Sequence, residues 1–223
     1  MGFEQIFGKT YGEPDADGRA KVRKVLDDLI AYASEERFQA KLDEARAYYF
    51  FKAGKTNDDD KQFIQRMNTF LEWFVFDYRP EGAGGKSLFD HYLAEKLPSL
   101  SAENLVLRIA ASKNYHSIFR VKSSGNGVLV LKDLAGKNSY LVTDDDTLEP
   151  KDILETRVIT LGKGCFITST YCLHPKQALK QIKSEIKKRK GAALDEDFFF
   201  KLQGMQLKWR RFRQISIDDI YRM

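Results

Sequence analysis

Residues 117–143 read SIFRVKSSGNGVLVLKDLAGKNSYLVT, and this stretch decides the fold class. Its three short runs of β-branched and aromatic residues are separated by Gly125-Asn126-Gly127 and Gly136-Lys137-Asn138, which are typical of hairpin turns. A further run, over residues 156–170, is interrupted by Gly162-Lys163-Gly164. Short strands joined by tight turns close more easily than they lie flat, so the pattern predicts a small antiparallel β-barrel or sheet of the SH3-like kind.

The residues before this β module predict helices. Apolar residues recur at helical spacing in three segments between residues 22 and 77. The aromatic run FLEWFVF at 70–76 belongs to the third segment, whose 4, 3, 4, 3 spacing favours a helix over a strand. Ser87 and Ser101 are candidate N-caps of two shorter helices. A helical unit is therefore predicted over residues 1–114.

Helices are predicted again after the β module, because Pro175 suits the first turn of a helix and an apolar edge with lysines opposite it follows. The chain is thus predicted to be an α+β protein with three units. They are a helical unit over 1–114, a small β module over 115–174, and basic C-terminal helices over 175–223 that pack on the preceding units.

The net charge of +5 is concentrated near the C-terminus. Residues 176–223 contain thirteen Lys and Arg against six Asp and Glu, and the residues before them carry a small net negative charge. Such an asymmetry indicates an anionic partner, which is a nucleic acid, a membrane surface or an acidic protein face.

Basic residues interleaved with aromatic ones make nucleic acid the first of these partners. Arg side chains bind phosphate in forked geometry, and neighbouring aromatic rings stack on bases. The candidate phosphate-binding residues are Lys183, Lys187, Lys188, Arg189, Lys190, Lys208, Arg210, Arg211 and Arg213. A run of charge is also typical of a solvated helix face, which leaves a role in solubility open.

A stripe of large apolar residues runs through the same segment at a 4, 3, 4, 3 spacing. Its members are Phe198, Leu202, Met205, Trp209 and Phe212. This spacing predicts a face that is buried in the core or against another chain. A homodimer or partner interface formed by this stripe is therefore the alternative to nucleic-acid binding.

No catalytic motif stands out, and no catalytic residue and no cofactor are predicted. Gly85-Lys86-Ser87 resembles the end of a phosphate-binding loop, but Pro80 stands where the first glycine of that motif belongs, so an N-cap at Ser87 is the preferred interpretation. An enzyme would need a deep pocket with converging polar groups. The residues around which such a pocket is most plausible are Asp77, Tyr78, Arg79, His91 and His116.

Cys165, Cys172 and His174 have the chemistry of zinc ligands, because thiolates and imidazole suit that ion. A fourth ligand is missing nearby, so the preferred interpretation is two small buried residues and a loop histidine, without metal. The acidic triplets at 58–60 and 144–146 fit a helix start and a turn better than a cation site.

Two cysteines are too few for a secreted disulfide scaffold, and the polar start lacks the apolar run of a signal peptide. No apolar stretch approaches the ~18 residues that a membrane span needs. A cytoplasmic protein without membrane contact is therefore predicted.

The run FLEWFVFDYR at 70–79, followed by GKSL at 85–88 and later by LKDL at 131–134, resembles an uncharacterised group of bacterial proteins. Some members of that group carry a SEC-C metal-binding segment. The resemblance implies a helical unit followed by a compact β module in a bacterial cytoplasmic protein. This chain lacks the cysteine-rich SEC-C segment, so the resemblance implies no metal site and no reaction.

These observations predict a non-enzymatic protein that binds the phosphate backbone of nucleic acid with low sequence specificity. The alternative is a protein-interaction or regulatory adaptor that dimerises through its C-terminal aromatic stripe.

Overall fold

The computed structural model describes residues 9–57, 62–80, 84–143, 148–168, 170–189 and 193–222. It confirms the predicted α+β fold, in which N-terminal helices precede a small five-stranded β-barrel and further helices follow it.

In the described residues before the barrel, the α-helices are α1 (Ala16–Ala33), α2 (Gln39–Ala53), α3 (Phe63–Phe76), α4 (Leu88–Lys96) and α5 (Ala102–Ser112). Side-chain caps satisfy backbone N–H groups at the starts of α1, α4 and α5. The Asp15 carboxylate accepts from the Gly18 N–H at the start of α1, and Ser87 forms a capping box with Asp90 at the start of α4. The apolar faces of these helices form one aromatic core.

The barrel consists of β2 (Tyr115–Gly125), β3 (Val128–Asp133), β4 (Ser139–Thr143), β5 (Ile153–Leu161) and β6 (Gly164–Ile167). Strands β2, β3 and β4 form an antiparallel meander, β5 pairs with the other edge of β2, and β6 pairs with β5. Apolar side chains that include Phe119, Leu131 and Leu154 fill the interior.

The barrel is mixed rather than wholly antiparallel, because its closing pair is parallel. The β5–β6 hairpin returns β6 in the direction of β4, and the two strands meet at Val142 and Cys165. Two very short strands extend the sheet: β1 (Thr10–Tyr11) beside β4 and β7 (Cys172–His174) beside β5. Neither was predicted, because two or three residues are too few to show an alternating pattern.

The described helices after the barrel are α6 (Leu179–Lys188), α7 (Glu196–Arg211) and the one-turn α8 (Ile217–Ile220). Helix α7 contributes to two cores. Its Phe200 packs into the aromatic core of the N-terminal helices, whereas Phe198 and Leu202 pack with Ile118 and Ile153 on the outer face of the barrel. Strand β5 is therefore buried on both of its faces.

Candidate functional site

A polar pocket of about 310 Å³ lies where α2, α3 and α7 meet the outer face of β5. Alternation along β5 sends Leu154 into the barrel and places Glu155 and Arg157 on the opposite face, under the helices. The strand register pairs His116 of β2 with Arg157. Other pocket residues include Tyr49, Glu72, Asp77, Thr170, Glu196, Phe199 and Gln203.

Two carboxyl groups in this pocket are buried away from water. Burial raises the pKa of Glu155 to about 8 and that of Glu72 to about 7. Glu155 Oε1 accepts a hydrogen bond of 2.5 Å from Gln203 Nε2, and Glu72 Oε2 accepts one of 2.9 Å from Thr168 Oγ1. Glu155 is therefore largely protonated at neutral pH, and Glu72 changes its charge there.

The buried Arg157 guanidinium is paired with the carboxylates of Asp77 and Glu72. It donates to Asp77, the residue that follows α3, and, over 2.7 Å, to Asn114 Oδ1, and its Nε lies 3.9 Å from Glu72 Oε2. Its carbon Cζ also lies 5.3 Å from the centre of the Phe76 ring. One side chain thus ties β5 to helix α3 and to the residue that precedes β2.

His116 brings an uncharged imidazole to the same pocket. Its ring stacks on Phe199 with 3.8 Å between ring centres, and its Nε2 lies 3.2 Å from Glu155 Oε1. Burial, together with the nearby Arg157 charge, holds the pKa of His116 well below its usual value. A neutral imidazole beside a carboxyl of raised pKa places a proton acceptor next to a proton donor, and these are the two kinds of group that general acid–base catalysis uses.

The raised pKa of Glu72 makes stability depend on pH. The folded state holds the proton of Glu72 more tightly than the unfolded state does. The contribution of Glu72 to the free energy of unfolding is therefore highest below the unfolded pKa of 4.5, and it falls as the pH rises to about 7. We expect Glu72→Gln to be more stable than the wild type at about pH 8, by on the order of 3 kcal/mol at most, and no more stable at about pH 4. Urea unfolding at both pH values measures this.

The exposed Glu103 serves as the matched control for that experiment, and its replacement by Gln is expected to leave the pH dependence of wild-type stability in place. If the difference in the free energy of unfolding between Glu72→Gln and the wild type were the same at both pH values, Glu72 would ionise normally in the folded protein.

A second surface feature is a groove of about 720 Å³ between α2 and α7, which we call the basic groove. Helices α2 and α7 cross there with Gly204 facing the end of α2, and a Cβ at Gly204 would lie in ordinary van der Waals contact with the Ala53 carbonyl oxygen, at 3.6 Å. One carboxylate, that of Asp219, lines the described part of the groove. Its cations are Lys52, Lys55, Lys201, Lys208, Arg211 and Arg222.

Aromatic side chains stand exposed at this groove. Phe51 of α2 is 77% exposed and Phe212, just after α7, is 44% exposed. Lys52 is paired with Asp197 at 3.3 Å, but within the described part of the chain no ion pair involves Lys201 or Lys208. The groove therefore offers cations and apolar rings to a ligand together.

The predicted phosphate-binding residues fall into separate groups. Lys208 and Arg211 line the basic groove, whereas Lys183, Lys187 and Lys188 lie on α6, outside it. Lys188 also pairs with Glu185. Of the remaining predicted cations, Arg189 lies over the Phe198 ring, and Arg210 and Arg213 both lie over the Trp209 ring. Lys190 falls outside the described residues.

The predicted aromatic stripe lies mainly inside the chain. Phe198 and Leu202 are fully buried, and Met205 and Trp209 pack against the same core. A second chain cannot reach the first two without displacing α7 from the barrel. Phe212 is the exposed member of the stripe. Dimerisation through the stripe stays a prediction, and Phe212 is the member that a partner could reach.

Cys172 and His174 of β7 come together with Glu155, and their ligand atoms all lie within 4.8 Å of one another. Cys165 does not join them, because it points into the barrel interior beside Val142. Sequence spacing suggested the two members on β7 but not Glu155. The available signal was that two charged residues, Glu155 and Arg157, stand in the middle of a strand that is mostly apolar at its other positions.

The other sequence candidates are placed as follows. Ser87 is a helix cap, as preferred over a phosphate-binding loop, and its hydroxyl accepts from the Asp90 N–H. Asp77 and His116 line the polar pocket, whereas Tyr78 and His91 line a different cavity of about 450 Å³. The acidic triplets at 58–60 and 144–146 lie outside the described residues.

A protein-family model, described as a family of unknown function (DUF7986), matches residues 17–198. The matched range includes the barrel, Glu155, Cys172 and His174, and it ends before most of α7. No curated protein and no solved structure matches the chain. Among the described residues, no helix has the length and apolar character needed to cross a bilayer.

Proposed function

The chain belongs to the family of unknown function DUF7986, and because this membership names no activity, we propose from the basic groove that the protein binds the phosphate backbone of single-stranded nucleic acid. The observation that carries the proposal is the combination of clustered cations with the highly exposed ring of Phe51. An exposed ring beside cations matches the way proteins hold single strands, by backbone charge and base stacking.

The geometry of α7 suits a linear polyanion. Lys201, Lys208 and Arg211 recur at helical spacing, so they share one face over ~15 Å at 1.5 Å per residue. The α2 side adds Lys55 across the groove from this row. Successive phosphates of a nucleic-acid strand can thus contact successive cations of α7, and the release of counterions from these phosphates increases the affinity.

Low sequence specificity follows from what the groove lacks. The described residues that line it include no Asn and no Gln, the side chains that read adenine edges in a bidentate manner. Phe51 and Phe212 can stack on any base, because every base has an aromatic face. Binding is therefore expected to depend on charge and on unpaired bases rather than on a motif.

The test is fluorescence anisotropy with labelled single-stranded DNA and RNA, titrated at several salt concentrations between roughly 0.05 and 0.3 M. If four groove cations contact phosphates, the logarithm of the association constant should fall linearly with the logarithm of salt, with a slope of about −3. No binding at the lowest salt would overturn the proposal.

Base stacking distinguishes nucleic acid from other polyanions as the ligand of the basic groove. Phe51→Ala should weaken binding of single strands by about 5-fold or more, because stacking contributes roughly 1–3 kcal/mol per base, and should leave polyphosphate binding unchanged. Phe51 is highly exposed, so the variant keeps the fold. Equal losses for both ligands would point to a general anion surface.

The polar pocket favours a second function, acid–base catalysis on a small polar substrate. The specific observation is the neutral His116 imidazole 3.2 Å from the Glu155 carboxyl, inside a pocket whose volume suits a small ligand. A thermal-shift screen with small polar compounds tests it. A hit that is lost in His116→Gln, together with absent nucleic-acid binding, would favour this function over the first.

A further inference from the structure

Three donor atoms of different elements converge behind the polar pocket. They are a carboxylate oxygen of Glu155, the Sγ of Cys172 and a ring nitrogen of His174; they lie within 4.8 Å of one another, and all three residues are buried. The β5–β7 register creates this cluster, because Cys172 lies opposite Glu155 and His174 lies opposite Ile153 on the same face. The convergence is thus built into the sheet and not into a loop.

Two of the three donors have no hydrogen-bond partner among the described residues. These are Glu155 Oε2 and His174 Nε2, which lie 3.9 Å apart, beyond hydrogen-bond distance. A buried polar atom without a partner destabilises a fold by roughly 1–3 kcal/mol. Two such atoms beside a thiol indicate that a bound ligand takes the place of the missing hydrogen-bond partners.

The other polar atoms of His174 and Glu155 have hydrogen-bond partners. These partners orient the two unpartnered atoms toward the cluster. His174 Nδ1 lies 3.1 Å from the Tyr221 hydroxyl, and Glu155 Oε1 accepts from Gln203 Nε2. A hydrogen bond on one ring nitrogen is the usual way in which a protein orients the other nitrogen toward a metal. Tyr221 and Gln203 act here as positioning residues.

We propose that Glu155, Cys172 and His174 bind a zinc ion. Thiolate, imidazole and carboxylate are the ligand types that zinc takes in proteins, with bonds of about 2.0–2.3 Å. In a tetrahedral complex the nitrogen and oxygen donors lie about 3.4 Å apart, so Glu155 and His174 need to approach by about half an ångström.

Zinc with three protein ligands keeps one open position. A cavity of about 10 Å³, lined in part by Cys172, Gln203 and Tyr49, adjoins the cluster and has room for a single water molecule as the fourth ligand. Binding displaces two protons at neutral pH, the thiol proton of Cys172 and the carboxyl proton of Glu155, and both pass to the solvent. The ion lies next to the polar pocket, with Glu155 common to both.

The experiment uses the full chain, stripped of metal with a chelator, and titrates it with Zn²⁺ against a chromophoric chelator. One ion per chain is expected, with an increase in melting temperature as zinc is added. Co²⁺ then serves as a spectroscopic probe. A cobalt–thiolate charge-transfer band, together with d–d bands of tetrahedral intensity, is expected in the wild type.

The two cysteines assign the thiolate ligand. Cys165→Ser should keep the cobalt–thiolate band and the zinc affinity, whereas Cys172→Ser should lose the band and weaken zinc binding by about 100-fold or more. If Cys172→Ser does not fold, a band retained in Cys165→Ser still assigns the ligand, because no third cysteine is present. His174→Gln should weaken zinc binding similarly.

Absence of stoichiometric zinc binding by the wild type would overturn the proposal. So would a cobalt complex without a thiolate band, or a band that disappears in Cys165→Ser. Equal zinc affinity in Cys172→Ser, His174→Gln and the wild type would also overturn it, because the ion would then bind elsewhere on the chain.

Discussion

Replacing Lys201 and Lys208 by glutamate is expected to abolish binding of single-stranded nucleic acid, with a loss of affinity of about 100-fold or more at moderate salt. Both side chains line the basic groove, and both are exposed. The change removes two phosphate contacts and places two carboxylates in the path of the backbone. Fluorescence anisotropy at several salt concentrations measures both the affinity and the salt slope.

Helix α6 provides the matched control. Lys183→Glu combined with Lys187→Glu makes the same change in net charge on exposed positions outside the groove. If binding occurs in the groove, the control variant keeps most of its affinity and the wild-type salt slope. If both double variants weaken binding equally, net charge alone attracts the nucleic acid and the groove is not the site.

Replacing Arg157 by alanine is expected to produce the largest loss of stability among single substitutions in the polar pocket. The change leaves Glu72 and Asp77 without their buried counter-charge, which typically destabilises a protein by roughly 3–5 kcal/mol. For a chain of this size the melting temperature should fall by about 10 °C. Thermal and urea unfolding measure the effect.

Two further variants show whether buried charge is the cause. Arg37→Ala also removes an arginine with two carboxylate partners, Glu35 and Glu95, but that side chain is half exposed, so a loss of about 1 kcal/mol or less is expected. Adding Glu72→Gln to Arg157→Ala should restore part of the lost stability. If Glu72→Gln stabilises Arg157→Ala no more than it stabilises the wild type, the two charges are not coupled, and Arg157 stabilises the fold mainly by packing on Phe76.

The sequence predicted the fold because its local signals agree with one another. The glycine turns at 125–127 and 162–164 delimit strands that close into a barrel, and the spacing over 63–77 marks a core helix. The parallel closing pair was missed because it brings Val142 beside Cys165 from a different part of the chain. No local pattern encodes which strand edges meet.

Asp77 and His116 of the polar pocket were named from the sequence, but the rest of the pocket could not be predicted because its residues are far apart along the chain. Glu72, Glu155 and Gln203 lie on a helix, a strand and another helix, and each resembles an ordinary charged or amide residue in its own segment. The α7 half of the basic groove was predicted through Lys208 and Arg211, but its α2 half was not. Gly204 within a helix was the available signal that another backbone approaches there.

Helix α7 also bears on the order in which the chain can fold during its synthesis. The rings of Tyr49 and Trp73 from the N-terminal helices pack against Phe200, with 5.3 and 5.7 Å between ring centres. The Tyr49 hydroxyl donates to Gln203 over 2.6 Å. On the ribosome, the N-terminal helices therefore have an incomplete core until α7 has emerged. Contacts this distant along the chain slow folding, and they favour a single late cooperative step.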